Sequence, residues 1–291
     1  MESIQNCPVC GAYQFEDYLQ CIDYTVSRET FTIQSCQSCG FLFTNPRPAE
    51  SEMGRYYKAE AYISHTDSSK GLINKIYKQV RSITLNQKFS LIKPFLTNNR
   101  LLDVGAGTGA FLDFCKTKGV DVSGVEPDED ARGVAKLNYD LKLDAESAMG
   151  TFQDEQFSVI TLWHVLEHVA NLNERIIELK RVLSRDGRIF IAVPNHTSHD
   201  ARHYRKHWAA YDVPRHLYHF DEDTIRQLFR KHGLELEKTL PMKFDSTYVS
   251  LLSEKYKTGR TNFLSGVFHG VFSNLTAKPN TWSSQIYVFK K

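Results

Sequence analysis

The stretch from Leu101 to Gly109, LLDVGAGTG, decides the fold of this chain. Its first four residues are apolar apart from Asp103, which is typical of a short buried strand. Glycines then follow at alternate positions, with Gly105 and Gly107 preceding Gly109. Because glycine adopts positive φ and lets a ligand approach the backbone closely, the stretch predicts a strand that ends in a ligand-binding turn.

Strand and helix patterns alternate after this turn. Strands are predicted at 101–104, 120–125, 141–143, 157–162 and 188–193, and helices at 110–118, 128–137 and 171–183. The C-terminal third adds a helix at 221–232, a strand at 234–240, two more helices and a closing strand at 284–289. Repeated strand–helix units favour a parallel sheet covered by helices on both faces. The predicted fold class is therefore α/β, with a Rossmann-like sheet of seven strands.

An acidic residue, Glu126, closes the second predicted strand. Ligands of open parallel sheets bind beyond the carboxyl ends of the strands, so this carboxylate can accept hydrogen bonds from two ribose hydroxyls. Gly105, Gly107 and Ala110 also fit the GxGxxG/A fingerprint of dinucleotide-binding proteins. Asp103 favours S-adenosylmethionine, because its carboxylate suits an ammonium and a sulfonium but would repel the pyrophosphate of a dinucleotide.

Four cysteines form two CxxC pairs, Cys7–Cys10 and Cys36–Cys39, with 25 residues between them. Each pair suits a tight turn that points two thiolates at one ion, and two such turns complete the tetrahedral site of structural zinc. The sequence therefore predicts a zinc ribbon at 1–48, with unrelated thiols or a redox pair as the alternatives. Cys21 and Cys115 are interpreted as small buried side chains or surface thiols.

Four segments follow one another in order and spacing: LLDVGAGTGAFL at 101–112, VSGVEPD at 122–128, FSVITLWHVLEHV at 157–169 and LKRVLSRDGRIFIAVPN at 179–195. Together they resemble the successive motifs of class I S-adenosylmethionine-dependent methyltransferases, in the branch related to ubiquinone-pathway methyltransferases. The cysteine pairs, NPRP at 45–48 and DVPRHLYHF at 212–220 resemble a bacterial subgroup of these enzymes that is associated with glycan or natural-product tailoring.

The resemblance implies a cofactor site built from the glycine turn and the strand ends. Its residues would be Asp103, Gly105, Ala106, Gly107, Gly109, Glu126, Pro127, Asp144, Ala145, Trp163 and His164. Asp103 and the glycines would contact the methionine end, and Glu126 the ribose. Asp144 or Ala145 would border the adenine. The pair Trp163–His164 would face both cofactor and acceptor.

A base helps methyl transfer to an oxygen acceptor. His164, Glu167 and His168 stand at positions that share one face of a helical turn, and we expect His164 to be a general base or to contact the acceptor. A second divalent metal at these three residues is an alternative. Some relatives carry glutamate in place of His164, so an ion softer than Mg²⁺ would suit the histidine. The third alternative is that Glu167 and His168 only brace the loop.

The long segment 196–220 is rich in basic and aromatic residues: Arg202, Arg205, Lys206 and Arg215 interleave with Tyr204, Trp208, Tyr211 and Tyr218. Such a segment can bind a phosphate or carboxylate while stacking on a ring or sugar, or it can be a solvated helix with packing aromatics. Arg215 and His216 carry the family resemblance. We therefore predict that they are catalytic together with His164, and that alanine at either position cuts turnover with little effect on cofactor affinity.

Composition limits the other function classes. The 291 residues carry a net charge of +2, so the whole molecule is not a polyanion-binding surface. No apolar run approaches the length of a membrane span and no signal peptide is evident, which predicts a cytoplasmic protein. We expect a small-molecule or glycan acceptor of anionic character and no nucleic-acid partner. The alternatives are an RNA-directed methyltransferase, an NAD-dependent oxidoreductase and a non-catalytic scaffold.

Three domains are predicted along the chain. The zinc ribbon at 1–48 ends at the NPRP stretch, which is interpreted as a linker, and a helical linking or lid segment follows at 49–98. In that segment, Tyr56, Tyr57 and Tyr62 are either core residues or pocket-lining residues. The S-adenosylmethionine-dependent methyltransferase domain is predicted at 99–291.

Overall fold

The computed structural model describes residues 1–57, 72–260 and 262–291. Its strands are β1 (Phe15–Ile22), β2 (Thr30–Cys36), β3 (Leu42–Thr44), β4 (Arg100–Val104), β5 (Asp121–Val125), β6 (Phe157–Trp163), β7 (Leu183–Pro194), β8 (Tyr218–His219), β9 (Glu235–Pro241) and β10 (Ser284–Lys290). The strands predicted at 101–104, 120–125, 157–162, 234–240 and 284–289 correspond to β4, β5, β6, β9 and β10, and each end lies within one residue of its prediction. The strand predicted at 188–193 is part of the longer β7, and no strand forms at 141–143.

The α-helices are α1 (Glu50–Met53), α2 (Leu72–Ile92), α3 (Ala110–Thr117), α4 (Glu129–Tyr139), α5 (Leu172–Val182), α6 (His199–Tyr204), α7 (Glu222–Lys231), α8 (Asp245–Thr258) and α9 (Phe263–Thr276). Short 3-10 helices occur at Gly54–Tyr56, Lys93–Phe95, Glu146–Thr151, Leu166–His168, Arg205–His207 and Ala209–Tyr211. Among the helices described, none is both long enough and apolar enough to cross a membrane.

The larger sheet has the strand order β5-β4-β6-β7-β10-β9. Its centre is parallel: Leu101 of β4 lies opposite Val122 of β5 on one side and Val159 of β6 on the other. Every residue of β4 after Arg100 is buried, as are the first six residues of β6. Such continuous burial is typical of parallel strands covered on both faces. The predicted α/β, Rossmann-like class is confirmed.

The sheet has six strands within the described residues, and the prediction of seven was wrong. Residues 141–143 form no strand, and only Asp144 makes a parallel bridge, to Val125. The segment between the two helices is too short for a strand, because the C-cap of α4 is Asp140, in the left-handed conformation, and the 3-10 helix Glu146–Thr151 begins soon after. A single bridge therefore takes the position beside β5 where the seventh strand was predicted.

The chain divides into two compact units, each built from separate stretches of sequence. The first unit comprises the described residues of Met1–Tyr62, His164–Asn173 and Ile191–Tyr287, and the second those of Ile63–Trp163, Glu174–Phe190 and Val288–Lys291. The predicted domains, with boundaries at 48 and 98, are continuous stretches of sequence, and they stay predictions. The site residues are accordingly described unit by unit.

In the first unit, a four-stranded sheet joins the N-terminal segment to a distant strand, in the order β1-β2-β3-β8. Leu42 of β3 lies opposite His219 of β8. The NPRP stretch that follows is not a loose linker, because Asn45 and Arg47 are 6% and 7% exposed. Arg47 donates a hydrogen bond to the hydroxyl of Tyr218 at 2.9 Å. This stretch is therefore hydrogen-bonded to the chain around β8.

Aromatic residues of the segment 196–220 form much of the first unit's core. Tyr204, Trp208 and Tyr211 are each 2% exposed and pack in one cluster with Cys21 and residues of β2 and β3. Tyr218 is 3% exposed. The interpretation of these four rings as a stacking platform for a ligand was therefore wrong, because their faces are occupied by the protein itself.

In the second unit, α3 buries Phe111, Leu112 and Cys115 on one face. The next helix, α4, begins at Asp128, whose carboxylate accepts the backbone N–H of Ala131 at 2.8 Å. This N-cap satisfies one of the free donors of the first helical turn. Cys115 is fully buried, which confirms its interpretation as a small apolar side chain.

Candidate active site

The glycine turn follows β4 in the second unit. Gly105, Gly107 and Gly109 all have positive φ, at 69°, 54° and 80°. A Cβ at Gly109 would lie 3.0 Å from Cβ of Ala135, whereas one at Gly107 would meet no described atom within 4 Å. Gly109 is thus required by packing against α4. Gly107 leaves open space above the turn, where a ligand could approach the backbone.

Glu126 holds this turn in place. Its Oε2 accepts the backbone N–H of Gly107 at 2.7 Å, and its Oε1 accepts that of Asp128 at 3.0 Å. The side chain is largely buried, and this burial raises the pKa of its carboxyl. Each carboxylate oxygen has a second lone pair, so both can still accept a hydroxyl donor. The predicted ribose-binding residue therefore also shapes the turn.

Asp103 is a buried carboxyl one residue before the end of β4. It is 3% exposed, and the hydroxyl of Thr161 donates to its Oδ1 at 2.5 Å. Burial raises the pKa of Asp103 to about 7, although Thr161 and the ammonium of Lys88 act in the opposite direction. Lys88, which lies on α2, has no motif or spacing that would have predicted it. A cationic ligand would stabilise the ionised form of Asp103.

Trp163, the last residue of β6, offers a hydrogen-bond donor to a ligand. Its indole Nε1 is buried and has no hydrogen-bond partner among the described residues. The ring packs edge-on against Phe111 at 5.7 Å between centroids, and the ammonium of Lys88 lies 4.4 Å from its ring. Because a buried unsatisfied donor costs about 1–3 kcal/mol, an acceptor group on a bound molecule would be favourable here.

The other predicted cofactor residues surround the turn. The backbone N–H of Ala106, like that of Gly105, donates to the carbonyl of Val125, at 3.1 Å and 2.8 Å. Asp144 lies beside Val125 through its bridge. Pro127 and Ala145 are exposed. The residues present fit S-adenosylmethionine, because the turn is open at Gly107. The buried carboxyl of Asp103 can pair with a cation, and the buried indole N–H of Trp163 can donate to an acceptor.

A buried acid in the first unit is surrounded by three histidines. Glu167 is 0% exposed, and its Oε1 lies 3.3 Å from Nδ1 of His164 and 4.0 Å from Nε2 of His216. His168 packs edge-on against His216, with 4.6 Å between the ring centroids. Burial alone would raise the pKa of Glu167, but the hydrogen bond from His164 and the charges of His216 and His164 lower it. Glu167 is therefore the anion at the centre of this cluster.

His164 is held between two carboxylates. Its backbone has a φ of 58°, and its Nε2 lies 2.7 Å from Oδ2 of Asp245. Burial would lower the pKa of His164, but Asp245 and Glu167 outweigh it and raise the pKa to about 10. At neutral pH the ring is an imidazolium, which favours the predicted role of acceptor contact over that of general base.

His216 and His168 are oriented by backbone carbonyls. Nδ1 of His216 lies 2.8 Å from the carbonyl of Ala210, so it carries a hydrogen and leaves Nε2 toward Glu167. Nδ1 of His168 lies 3.0 Å from the carbonyl of Arg215. Burial, together with the charge of His216, lowers the pKa of His168 to about 4, so that ring is neutral.

The three tyrosines singled out in the segment 49–98, Tyr56, Tyr57 and Tyr62, differ in their surroundings. The hydroxyl of Tyr57 lies 3.0 Å from Nδ1 of His168, at the histidine cluster. Tyr56 is fully buried in the first unit's core. Tyr62 lies outside the described residues. The pocket-lining interpretation is therefore supported by Tyr57 and not by Tyr56.

Arg215 is 2% exposed, and its guanidinium bonds only within the protein. Nε and Nη2 donate to the carboxylate of Asp212 at 2.9 Å and 2.6 Å, and Nη2 also donates to Asp23 at 3.1 Å. Nη1 donates to the carbonyl of Tyr56 at 2.9 Å. The guanidinium is fully engaged, so we interpret Arg215 as a positioning residue for the neighbouring His216 and not as a direct contact of the acceptor.

The predicted second metal site at His164, Glu167 and His168 differs from the group of ligand-type atoms that the structure brings together. Ligand-type atoms that lie within 4.8 Å of one another belong to Glu167, His168 and His216. His164, which the sequence placed in the set, bonds Asp245 instead. A second metal at His164, Glu167 and His168 stays a prediction.

The four cysteines of the N-terminal segment converge. The Sγ atoms of Cys7 and Cys39 are 3.6 Å apart, and those of Cys10 and Cys36 are 3.5 Å apart. Zn–S bonds of about 2.3 Å place the sulfurs of a tetrahedral site about 3.8 Å apart, so these four residues fit one zinc ion. Each CxxC pair turns back through a hydrogen bond to the carbonyl of its first cysteine, from Gly11 and from its counterpart Gly40.

Comparison with known proteins defines the family. A family model described as "Methyltransferase domain" matches residues 77–239, more than half of the chain. The chain belongs to this methyltransferase family. The resemblance to class I S-adenosylmethionine-dependent methyltransferases is thereby confirmed.

Individual relatives are more distant. The ubiquinone biosynthesis O-methyltransferase of Azoarcus sp. (strain BH72) is 30% identical over 107 residues, which cover 34% of this chain and 46% of that protein. The chain thus spans about half the length of the curated relatives it matches. A SAM dependent methyltransferase from Archaeoglobus fulgidus has a TM-score of 0.50 at 19% identity, covering 72% of this chain and 94% of its own. A putative sarcosine dimethylglycine methyltransferase from Galdieria sulphuraria has a TM-score of 0.51 at 14% identity, covering 73% and 86%. These two structures share the fold.

Proposed function

We propose that this chain transfers the methyl group of S-adenosylmethionine to an oxygen atom of a small-molecule or glycan acceptor. The observation that carries the proposal is the arrangement of two buried carboxyl groups, Asp103 and Glu126, around the open turn at Gly107, which suits the charge and hydroxyl pattern of this methyl donor. The oxygen acceptor is supported by the histidine cluster around Glu167, and by the name of the O-methyltransferase relative from Azoarcus.

The donor site acts through charge and hydrogen bonds. When bound, S-adenosylmethionine supplies an activated methyl group. Asp103 would pair with the cationic methionine end, and Glu126 would accept the ribose hydroxyls while it keeps Gly107 in place. The indole N–H of Trp163 would donate to an acceptor atom of the ligand. A dinucleotide is disfavoured because Asp103 would face its pyrophosphate.

The acceptor side acts through proton transfer. His216 is fixed by its Nδ1–H bond to Ala210, so its Nε2 can remove the proton of an attacking hydroxyl. Glu167 then stabilises the imidazolium that forms. The imidazolium of His164 provides a cationic contact for an anionic group of the acceptor.

Arg215 contributes by fixing the loop that carries His216. Its bidentate bond to Asp212 and its bond to Asp23 hold the residue that precedes His216 against the N-terminal segment. An RNA acceptor has less support, because the aromatic rings of the segment 196–220 are buried and cannot stack on bases.

The test is formation of S-adenosylhomocysteine with phenols, catechols, sugars and sugar phosphates offered as acceptors. His216→Asn keeps a donor for the Ala210 carbonyl but lacks Nε2, so we expect turnover to fall by about 10²–10⁴-fold. The dissociation constant of S-adenosylmethionine should stay within a factor of about two, and His207→Asn serves as the matched control. Undiminished turnover by His216→Asn would refute the assignment of the base.

A further inference from the structure

Three side chains that the methyl-transfer proposal does not use converge elsewhere in the first unit. They are His203 on α6, Glu254 on α8 and His269 on α9. One ligand-type atom of each lies within 4.8 Å of those of the other two. The two imidazoles stack at 3.8 Å between ring centroids, with 24° between their planes.

Glu254 is a buried carboxylate that accepts hydrogen bonds from neutral hydroxyls. Its side chain is 4% exposed, and its Oε1 accepts hydrogen bonds from the hydroxyls of Tyr204 at 3.2 Å and Ser265 at 2.8 Å. Both of these donors are neutral hydroxyls. Because a buried charge is costly unless it is paired, a bound cation would stabilise this carboxylate.

His269 is also incompletely bonded. Its Nδ1 is buried and has no hydrogen-bond partner in the part of the chain that the structure describes. The carboxylate oxygen and the two ring nitrogens lie within 4.8 Å of one another, so one ion could contact all three. Zinc bonds of about 2.0–2.2 Å would draw these atoms closer by small side-chain rotations.

We infer that His203, Glu254 and His269 bind a divalent transition-metal ion, with zinc as the best fit. Two imidazoles and one carboxylate are donors that zinc accepts, whereas Mg²⁺ prefers oxygen ligands. Tyr204 and Ser265 would orient the carboxylate as outer partners of the metal site. Because its ligands come from three helices, the ion would tie α6, α8 and α9 together.

The metal content of the full chain tests this site. After equilibration in a zinc buffer and desalting, wild type should hold one zinc ion per chain more than the variant His203→Asn/His269→Asn. Glu254→Gln keeps an acceptor for Tyr204 and Ser265 but lacks the charge, and should lower zinc affinity at this site by at least about tenfold. His207→Asn, on the neighbouring 3-10 helix, should bind as much zinc as wild type.

Cobalt separates this site from the four cysteines. Thiolate-to-cobalt charge-transfer absorption arises at the cysteine site only, so wild type should bind a further cobalt ion whose addition leaves that band unchanged. Zinc should raise the melting temperature of wild type by more than that of Glu254→Gln. Equal metal content and equal melting shifts in wild type, Glu254→Gln and His203→Asn/His269→Asn would overturn the proposal.

Discussion

His164 and Glu167 form an ion pair in which the acid has no exposed surface. Nδ1 of His164 lies 3.3 Å from Oε1 of Glu167, whose side chain is 0% exposed. Asp245 bonds the other ring nitrogen at 2.7 Å. Although burial opposes it, this pairing raises the pKa of His164 to about 10, far above the ordinary value of about 6.5. The cluster thus holds one of its histidines as a cation.

The first prediction concerns stability and pH. A histidine whose pKa is higher in the folded state contributes stability that is fully present below its unfolded pKa of about 6.5 and is lost as pH rises through the folded value. His164→Asn should therefore lower the free energy of unfolding most at pH 6, and by a shrinking amount toward pH 10. Urea unfolding at several pH values measures this, and Asp245→Asn should weaken the same pH dependence. A difference that grows with pH would contradict the assignment.

The second prediction concerns Asp103 and the methyl donor. Since burial raises the pKa of Asp103 to about 7, lowering the pH from 8 to 6 should protonate it and weaken the binding of S-adenosylmethionine. Asp103→Asn should lose roughly tenfold to hundredfold in affinity, as expected for about 1.5–3 kcal/mol from a charged hydrogen bond. Its remaining pH dependence should be that of the ligand's own amino group. Calorimetry at each pH gives both values, and wild-type affinity in the variant would refute the role.

The third prediction compares two glycines. Gly109 has a φ of 80° and its Cβ would crowd Ala135, so Gly109→Ala should destabilise the protein by about 1–3 kcal/mol. Gly133 lies in the exposed part of α4, where a Cβ would meet no described atom within 4 Å. Gly133→Ala should stabilise by about 0.5–1 kcal/mol, because alanine favours the helix. Denaturant unfolding measures the change in the free energy of unfolding for each variant. We expect changes of opposite sign, and changes of the same sign would contradict the packing at these two glycines.

The fourth prediction concerns the cysteine site. Cys7→Ser/Cys10→Ser should remove one zinc ion per chain and lower the melting temperature, because zinc binding is coupled to folding. Cys115→Ala changes a buried thiol of the second unit and should leave zinc content unchanged. Mass spectrometry of the metals after desalting gives the content. Equal zinc in wild type and the double variant would show that these cysteines do not form the site.

The glycine turn could be predicted because its signals are local. Positive φ at Gly105 and Gly107, and a carboxylate at the end of the next strand, follow from residue type and short spacing. The same local reasoning failed at 141–143, where two leucines were interpreted as a strand. Cδ1 of Leu141 instead lies 3.1 Å from the position of a Cβ at Gly109, so this leucine is buried by the turn rather than by a sheet.

The acceptor side depends on contacts that are distant in sequence. Arg215 bonds Asp23, 192 positions away, and this buried pair left no periodic pattern to detect. The resemblance pointed to Arg215 and His216 together, and their catalytic roles stay predictions. It could not separate the engaged guanidinium from the imidazole beside it. Likewise, aromatic spacing does not distinguish a core from a stacking surface, and Trp208 belongs to the core.

The central claim is that the turn at Leu101–Gly109 and Glu126 bind S-adenosylmethionine. Isothermal titration calorimetry of the full chain with S-adenosylmethionine and, separately, with NAD tests it most directly. We expect S-adenosylmethionine to bind at one site per chain, with binding abolished or strongly weakened in Asp103→Asn, and we expect no binding of NAD. Binding of NAD in its place, or no binding of S-adenosylmethionine by the folded wild-type chain, would contradict it.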